Sequence, residues 1–307
     1  MNTDEEEIAK ETVDAIEKIV GISPGYRRVH AKGISFNAVF EPSGMASSLT
    51  TASHLQKEKT SVIVRFSHTF SSPERYEALV PIKGMAVHFL LPNNQFTVLT
   101  MVNVPVFITK TPEAFINLLK VMSKDSLTGR VKFEKLRKSF EWSTIPKVLL
   151  SLKPVASFST ETYHALHTYY LIGSNGEKQA VRFKWVPIIN ESLEKSSLKH
   201  GDLEKEIATK LDKMPIRFRL ILQLATSEDP IEDPSVEWPD ERQTIDAGLL
   251  TLKEVIADGA EDLVFDPTVV TEGIECSEDP VLQFRSSVYK ESALRRHGER
   301  KKLYPDE

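Results

Sequence analysis

Arg27-Arg28-Val29-His30-Ala31-Lys32-Gly33 and, far downstream, Arg285-Ser286-Ser287-Val288-Tyr289 are the most informative stretches of this chain. The first is an Arg-x-x-His followed by Ala, Lys and Gly. The second sets a Tyr four positions after an Arg, so on a helix the two side chains share one face. A guanidinium in that position favours the ionised form of the phenol, whose ordinary pKa is about 10. Taken singly, each stretch is an ordinary surface pattern. Their order and their flanking residues give them meaning, and the segments between them supply a scaffold.

Periodicity outlines that scaffold. Residues 5–20 read as an amphipathic helix, with Ile8, Val13, Ile16, Ile19 and Val20 mostly on one side, ended by Gly21 and Pro24. Strands follow at 34–41, 61–67, 84–91 and 96–102, rich in Val, Ile, Phe and Thr. Residues 112–122 predict a helix with Thr111 as cap and Pro112 at its first position. Residues 131–151 read as helical in parts, broken at Pro146. Strands return at 162–172 and 179–187, joined by the turn signal Ser174-Asn175-Gly176. A charged helix is expected at 193–211, its Lys and Glu residues solvated, then an alternating strand at 216–225 and a turn and strand at 238–252. Hairpins on both sides of a helical insertion predict an α+β fold, an antiparallel β-barrel core with surrounding helices. One domain over 1–307 is expected: an N-terminal helix in 1–22, the barrel core in 23–296 and a tail in 297–307, with 230–239 the loosest segment.

Composition narrows the partners. Lys and Arg total 39 against 44 Asp and Glu, a net charge of −5, which gives no electrostatic reason to expect nucleic acid or an anionic membrane. No apolar run approaches the ~20 residues of a membrane helix. The acidic start, Asp4 to Glu7, is the opposite of a secretory leader, and the final residues are not a peroxisomal address, so cytoplasm is the expected compartment. The single cysteine, Cys276, excludes an internal disulfide.

From Gly25 to Arg296 the chain resembles the catalase superfamily, and in its shortness the minimal branch of catalase-related peroxidases. Beside the two opening stretches, the resemblance is carried by Val62-Ile63-Val64-Arg65-Phe66-Ser67, Gly84-Met85-Ala86-Val87-His88-Phe89, Val104-Pro105-Val106-Phe107 and Phe265-Asp266-Pro267. It implies haem b, an iron porphyrin, as cofactor. It implies hydrogen peroxide or an organic hydroperoxide as substrate, with a small organic electron donor. It leaves the oligomeric state open, a homo-oligomer included.

The resemblance also assigns roles. His30 is implied as the acid/base on the distal side, taking the peroxide proton and delivering it to the leaving oxygen; an imidazole near its ordinary pKa of ~6.5 suits both steps. Ser67 is implied to orient it. Tyr289 is the implied iron ligand, as the phenolate, with Arg285 as its cation. Arg27, Arg65 and Arg296 match propionate-binding arginines, although Arg295 is adjacent and competes for the last role. Val29, Phe107 and Phe115 match residues that flank the haem.

One position departs from the pattern. Typical catalases carry two adjacent Asn residues before the Pro-Val-Phe run, the first catalytic. Counting back from Pro105, Asn103 meets the second and Val102 the first. Asn103 stands as a candidate catalytic residue, in competition with the reading that Val102 fills the place and that oxygen-evolving activity is weak. Two other functions stay open. One is a fatty-acid hydroperoxide enzyme of the allene oxide synthase type, which usually has Thr where Val29 stands. The other is a barrel without enzymatic activity that has lost haem. His164 and His167 are an odd number of residues apart, which on one strand puts them on opposite faces and argues against a shared metal.

Overall fold

The computed structural model describes residues 3–69, 82–123, 155–189, 202–257 and 260–303, with Val131, Glu134 and Val148 besides. Its strands are β1 (Gly33–Pro42), β2 (Thr60–His68), β3 (Lys83–Leu90), β4 (Phe96–Val102), β5 (Tyr163–His164), β6 (Tyr169–Ile172), β7 (Lys178–Pro187), β8 (Arg217–Leu224), β9 (Thr244–Val255) and β10 (Ile274–Cys276). All pairings are antiparallel. The chain runs round a closed ring in the order β1-β2-β3-β4-β5-β7-β8-β9 and back to β1, while β6 and β10 extend from β7. Closure gives each ring strand a partner on both sides, most thinly at β4–β5, where only Val102 pairs with His164 among the described residues.

Alternation decides what fills the ring. Phe36, Ala38 and Phe40 of β1, Val62, Val64 and Phe66 of β2, and Phe218, Leu220 and Leu222 of β8 point inward and are buried. Aromatic rings dominate the interior: Phe40 meets Phe89 and Trp185 edge-on at 5.4 and 5.9 Å, and Phe66 stacks on Phe158 at 5.4 Å. The intervening residues of β2, β3 and β4 face outward, and helices cover them.

Those helices are α1 (Thr3–Val20), α2 (Pro112–Met122), α3 (Leu203–Leu211) and α4 (Pro280–Leu303). Thr111 Oγ1 caps α2 by accepting from Ala114 N at 3.3 Å. Asp279 Oδ1 caps α4 by accepting from Val281 N at 2.9 Å and Leu282 N at 3.3 Å. Buried Arg28 ties α1 to α4 through Glu17 and Glu299, each at 2.5 Å. No helix among the described residues is long and apolar enough to cross a membrane.

Four expectations shift. Residues 162–172 form two strands rather than one, because the chain breaks at Leu166, whose φ is 63°. The charged helix begins at Leu203, and 190–201 lie outside the described residues. Its polar face is partly engaged: Glu206 accepts from Ser157 Oγ at 2.6 Å and Lys210 donates to Ser159 Oγ at 2.8 Å. Segment 230–239 is anchored, since Arg182 donates to Val236 O at 2.6 Å and Asp233 O at 3.0 Å and lies 4.5 Å over the buried Trp238 ring. Of 131–151, Val131, Glu134 and Val148 are helical; the rest lies outside the described residues.

Candidate active site

The outward row of the barrel builds one wall of a cavity of about 380 Å³. Across the sheet, Ser67 of β2 pairs with Gly84 of β3, and Gly84 with Val102 of β4. One step along, Arg65 pairs with Ala86 and Ala86 with Thr100. All six line the cavity. The opposite wall is one stripe of α4, with Val281, Arg285, Val288, Tyr289, Ser292 and Arg296 at three- and four-residue spacing. Val13 and Ile16 of α1 and Phe115 of α2 close the side. Strands far apart in sequence and a C-terminal helix thereby put His30 and Tyr289 on the same cavity.

His30 enters from the loop before β1 with a left-handed backbone, φ 60°, unusual for a residue with a Cβ. Arg65 holds that conformation: Nη1 donates to His30 O and Nη2 to Ala31 O, both at 2.9 Å. Ser67 Oγ is hydrogen-bonded to His30 Nδ1 at 3.0 Å. Gly84 makes room, since a Cβ there would lie 2.9 Å from His30 Cε1 and from Ser67 Oγ. The expected imidazole of ordinary basicity is corrected. Burial, with the Arg65, Arg285 and Arg27 charges, pushes His30 down to about 3, so it is neutral across the physiological range.

Behind Tyr289 lies a relay that the sequence reading missed. Arg285 Nη2 donates to Tyr289 Oη at 2.8 Å, and Nη1 donates to His167 Nε2 at 3.0 Å. His167 Nδ1 in turn donates to Asp279 Oδ2 at 2.6 Å. An imidazole that accepts from a guanidinium and donates to a carboxylate is neutral, with its proton on Nδ1. Burial lowers the His167 pKa, in the same direction. Burial opposes the charge of Arg285, but Tyr289, Tyr169 and Asp266 together outweigh it and hold the guanidinium above its ordinary value. The break at Leu166 turns His167 toward this relay, while His164 pairs with Lys184 on β7. The available signal was Asp279, a helix cap that is also fully buried.

Arg27, Arg65 and Arg296 gather at one end of the cavity. Arg27 donates to Ala260 O at 3.1 Å and Leu263 O at 2.9 Å, and is paired with Glu261. Arg296 donates to Leu263 O at 3.3 Å. The buried Nε atoms of Arg65 and Arg296 have no hydrogen-bond partner among the described residues. Burial and the neighbouring Arg65 charge lower Arg27 to about 9. Of the two neighbours, Arg296 lines the cavity, and Arg295 turns away to Asp14 at 2.7 Å, Glu17 at 3.0 Å and Glu291 at 2.7 Å. Val29, Phe107 and Phe115 line the cavity, the two rings 5.2 Å apart.

Asn103 is a correction. Its Oδ1 accepts from Lys83 N at 2.8 Å and its Nδ2 donates to Glu161 at 2.9 Å, and it does not line the cavity; Val102 does. The register explains why. Val102 continues the outward row of Ser67 and Gly84, and its neighbour must turn the other way.

The family model described as Catalase matches residues 17–305. The chain is 33% identical over 302 residues to a catalase-related peroxidase of Mycolicibacterium paratuberculosis, a match covering 94% of each. It is 29% identical over 290 residues to a catalase-related peroxidase of Synechococcus elongatus, covering 91% of this chain and 86% of that one. A catalase isozyme 2 of Nicotiana plumbaginifolia is 27% identical over 301 residues, covering 89% of this chain but 60% of its own length. In fold, a fungal catalase superposes with a TM-score of 0.72 at 18% identity, covering 89% of this chain and 60% of that chain.

Proposed function

Because the chain belongs to the catalase family, we propose that it is a haem-dependent peroxidase that reduces hydrogen peroxide or an organic hydroperoxide with a small organic donor and evolves little oxygen. The observation that carries this reading is that His30 and Tyr289 line one cavity, with three arginines at its end. The donor set fits haem b. Tyr289 Oη, which accepts from Arg285 Nη2, would be the oxygen ligand for ferric iron. The apolar walls suit a porphyrin face, and the unpartnered Nε atoms of Arg65 and Arg296 suit two carboxylates.

Haem, when bound, supplies the redox chemistry. The protein's own residues supply the rest. His30 is neutral and can take a proton from peroxide at Nε2, while Ser67 holds Nδ1 and fixes the ring. A base this weak returns the proton readily, which suits delivery to the leaving oxygen. Arg285 holds the Tyr289 oxygen by a hydrogen bond, and Asp279 steadies Arg285 through His167. Val102 presents no hydrogen-bond donor beside His30, so a second peroxide is poorly oriented and an organic donor is the better reductant.

The test is reconstitution. Purified protein titrated with haem should give a saturable visible spectrum of a tyrosinate-ligated ferric haem, followed by dye oxidation on adding peroxide. Failure to bind haem, or strong oxygen release without donor oxidation, overturns the proposal.

A further inference from the structure

Helix α1 packs apart from the barrel. None of its residues belongs to the barrel's apolar core; Ala15 and Ile16 instead form a small cluster with Leu119 of α2, against which Ile19, Val20, Val29 and Phe115 pack. Ion pairs hold its polar side. Asp14 and Glu17 meet Arg295 of α4 at 2.7 and 3.0 Å, and Glu11 meets Lys120 of α2 at 2.7 Å. Gly21 ends the helix with a left-handed backbone, φ 84°, and donates its N–H to Glu17 O at 2.9 Å.

With the charges at 11, 14 and 17 engaged by α2 and α4, Val13 and Ile16, three residues apart, share the face that lines the cavity. Val29, the chain neighbour of His30, packs against the same cluster, so this wall borders the His30 side. Val13, Ile16, Val29 and Phe115 all line the cavity, and none of these side chains can donate or accept a hydrogen bond. A charged group pressed against the wall loses its water without gaining a partner, whereas an apolar group is favoured there.

We propose that Ile16 is a specificity-determining residue: the organic group of a compact, uncharged alkyl or aryl hydroperoxide packs against it, and the size of this side chain limits the size of that group. This rests on the peroxidase reading above and narrows it to a substrate class. The hydroperoxide takes two electrons and two protons from the organic donor and leaves as an alcohol and water, with the donor oxidised. Hydrogen peroxide carries no group that could pack on Ile16, which makes it the internal reference.

The experiment uses the haem-loaded protein with one dye as donor, and measures kcat/KM for cumene hydroperoxide and for hydrogen peroxide. The ratio of the first to the second should rise about tenfold or more in Ile16→Ala and fall about tenfold or more in Ile16→Phe, the order expected when methylene-sized volume is removed from or added to an apolar pocket. Ile8→Ala changes the same helix at a position 41% exposed and should keep the wild-type ratio. A ratio unchanged in either Ile16 variant, or moved as far by Ile8→Ala, overturns the proposal. Melting of the haem-free protein gives a second readout. A side chain that faces open volume can be enlarged without overpacking, so Ile16→Phe should lower the Tm by no more than about 2 °C; a larger fall marks a filled site and overturns the placement. A wild type that turns over hydrogen peroxide but not cumene hydroperoxide overturns the substrate class alone. One that turns over neither overturns the peroxidase reading itself.

Discussion

Arg285 and Tyr289 lie one turn apart on α4 and meet at 2.8 Å, so the helix that carries the phenol also carries its cation. The pairing is local, but its support is not. His167 arrives from a distant part of the chain and, with Asp279 at the cap of the same helix, holds the guanidinium.

Tyr289→Phe removes the ligating oxygen and keeps the ring. The variant should lose haem on gel filtration or show a changed ligand-field spectrum. Asp279→Asn should act more subtly. It keeps an oxygen that can cap α4 but removes the charge behind His167, so the spectrum should shift with little loss of stability. Asp279→Ala loses the cap as well and should cost about 1 kcal/mol or more in denaturant unfolding.

His30→Ala should retain haem and slow peroxide cleavage by roughly 10²–10⁴-fold in rapid mixing. Because burial and three nearby arginines hold His30 down to about 3, protonation of this group should not slow the peroxide step between pH 7 and 5. A rate that falls with an apparent pKa near 6.5 would assign the proton step to another group.

Val102→Asn should raise oxygen evolution relative to dye oxidation, since a well-placed donor in an active site is worth about 2.7–4 kcal/mol. Asn103→Ala should leave that ratio alone, because its side chain is committed to Lys83 and Glu161. An oxygen electrode run beside a dye assay reads both; a ratio that responds to Asn103 and not to Val102 reverses the assignment.

Gly84→Ala adds a methyl group 2.9 Å from His30 Cε1. The ring must move, so peroxide cleavage should drop with haem still bound, and overpacking should cost about 1–3 kcal/mol. Wild-type kinetics would show that the ring position tolerates displacement.

Acid should destabilise the fold through its buried imidazoles. Burial pushes His54 down to about 3, against about 6.5 in an unfolded chain. Between those values the unfolded state binds the extra proton, so stability falls as pH drops from 6.5 toward 3. His54 is 1% exposed and packs 4.5 Å from Phe89, away from the cavity. His54→Leu should flatten the dependence in denaturant melts at pH 7 and 4.5. Equal slopes in both proteins would remove His54 from the effect.

What is local or periodic was legible in the order of residues. Alternating apolar residues announced the strands of the barrel, Thr111 and Pro112 announced the start of α2, and the four-residue spacing of Arg285 and Tyr289 placed them on one helix face. The flanking motifs joined His30 to Tyr289 as parts of one site. Questions of direction were answered by register and packing. Val102 and Asn103 are neighbours, and only the register with Gly84 and Ser67 says which one faces the cavity. Arg295 and Arg296 are neighbours too, and only the packing of α1 against α4 draws one outward. His167 looked like half of an unrelated pair until the left-handed turn at Leu166 delivered it to Arg285. The basicity of His30 followed the same rule: a pKa depends on burial and on charges brought from distant strands, and these exist only once the barrel has closed.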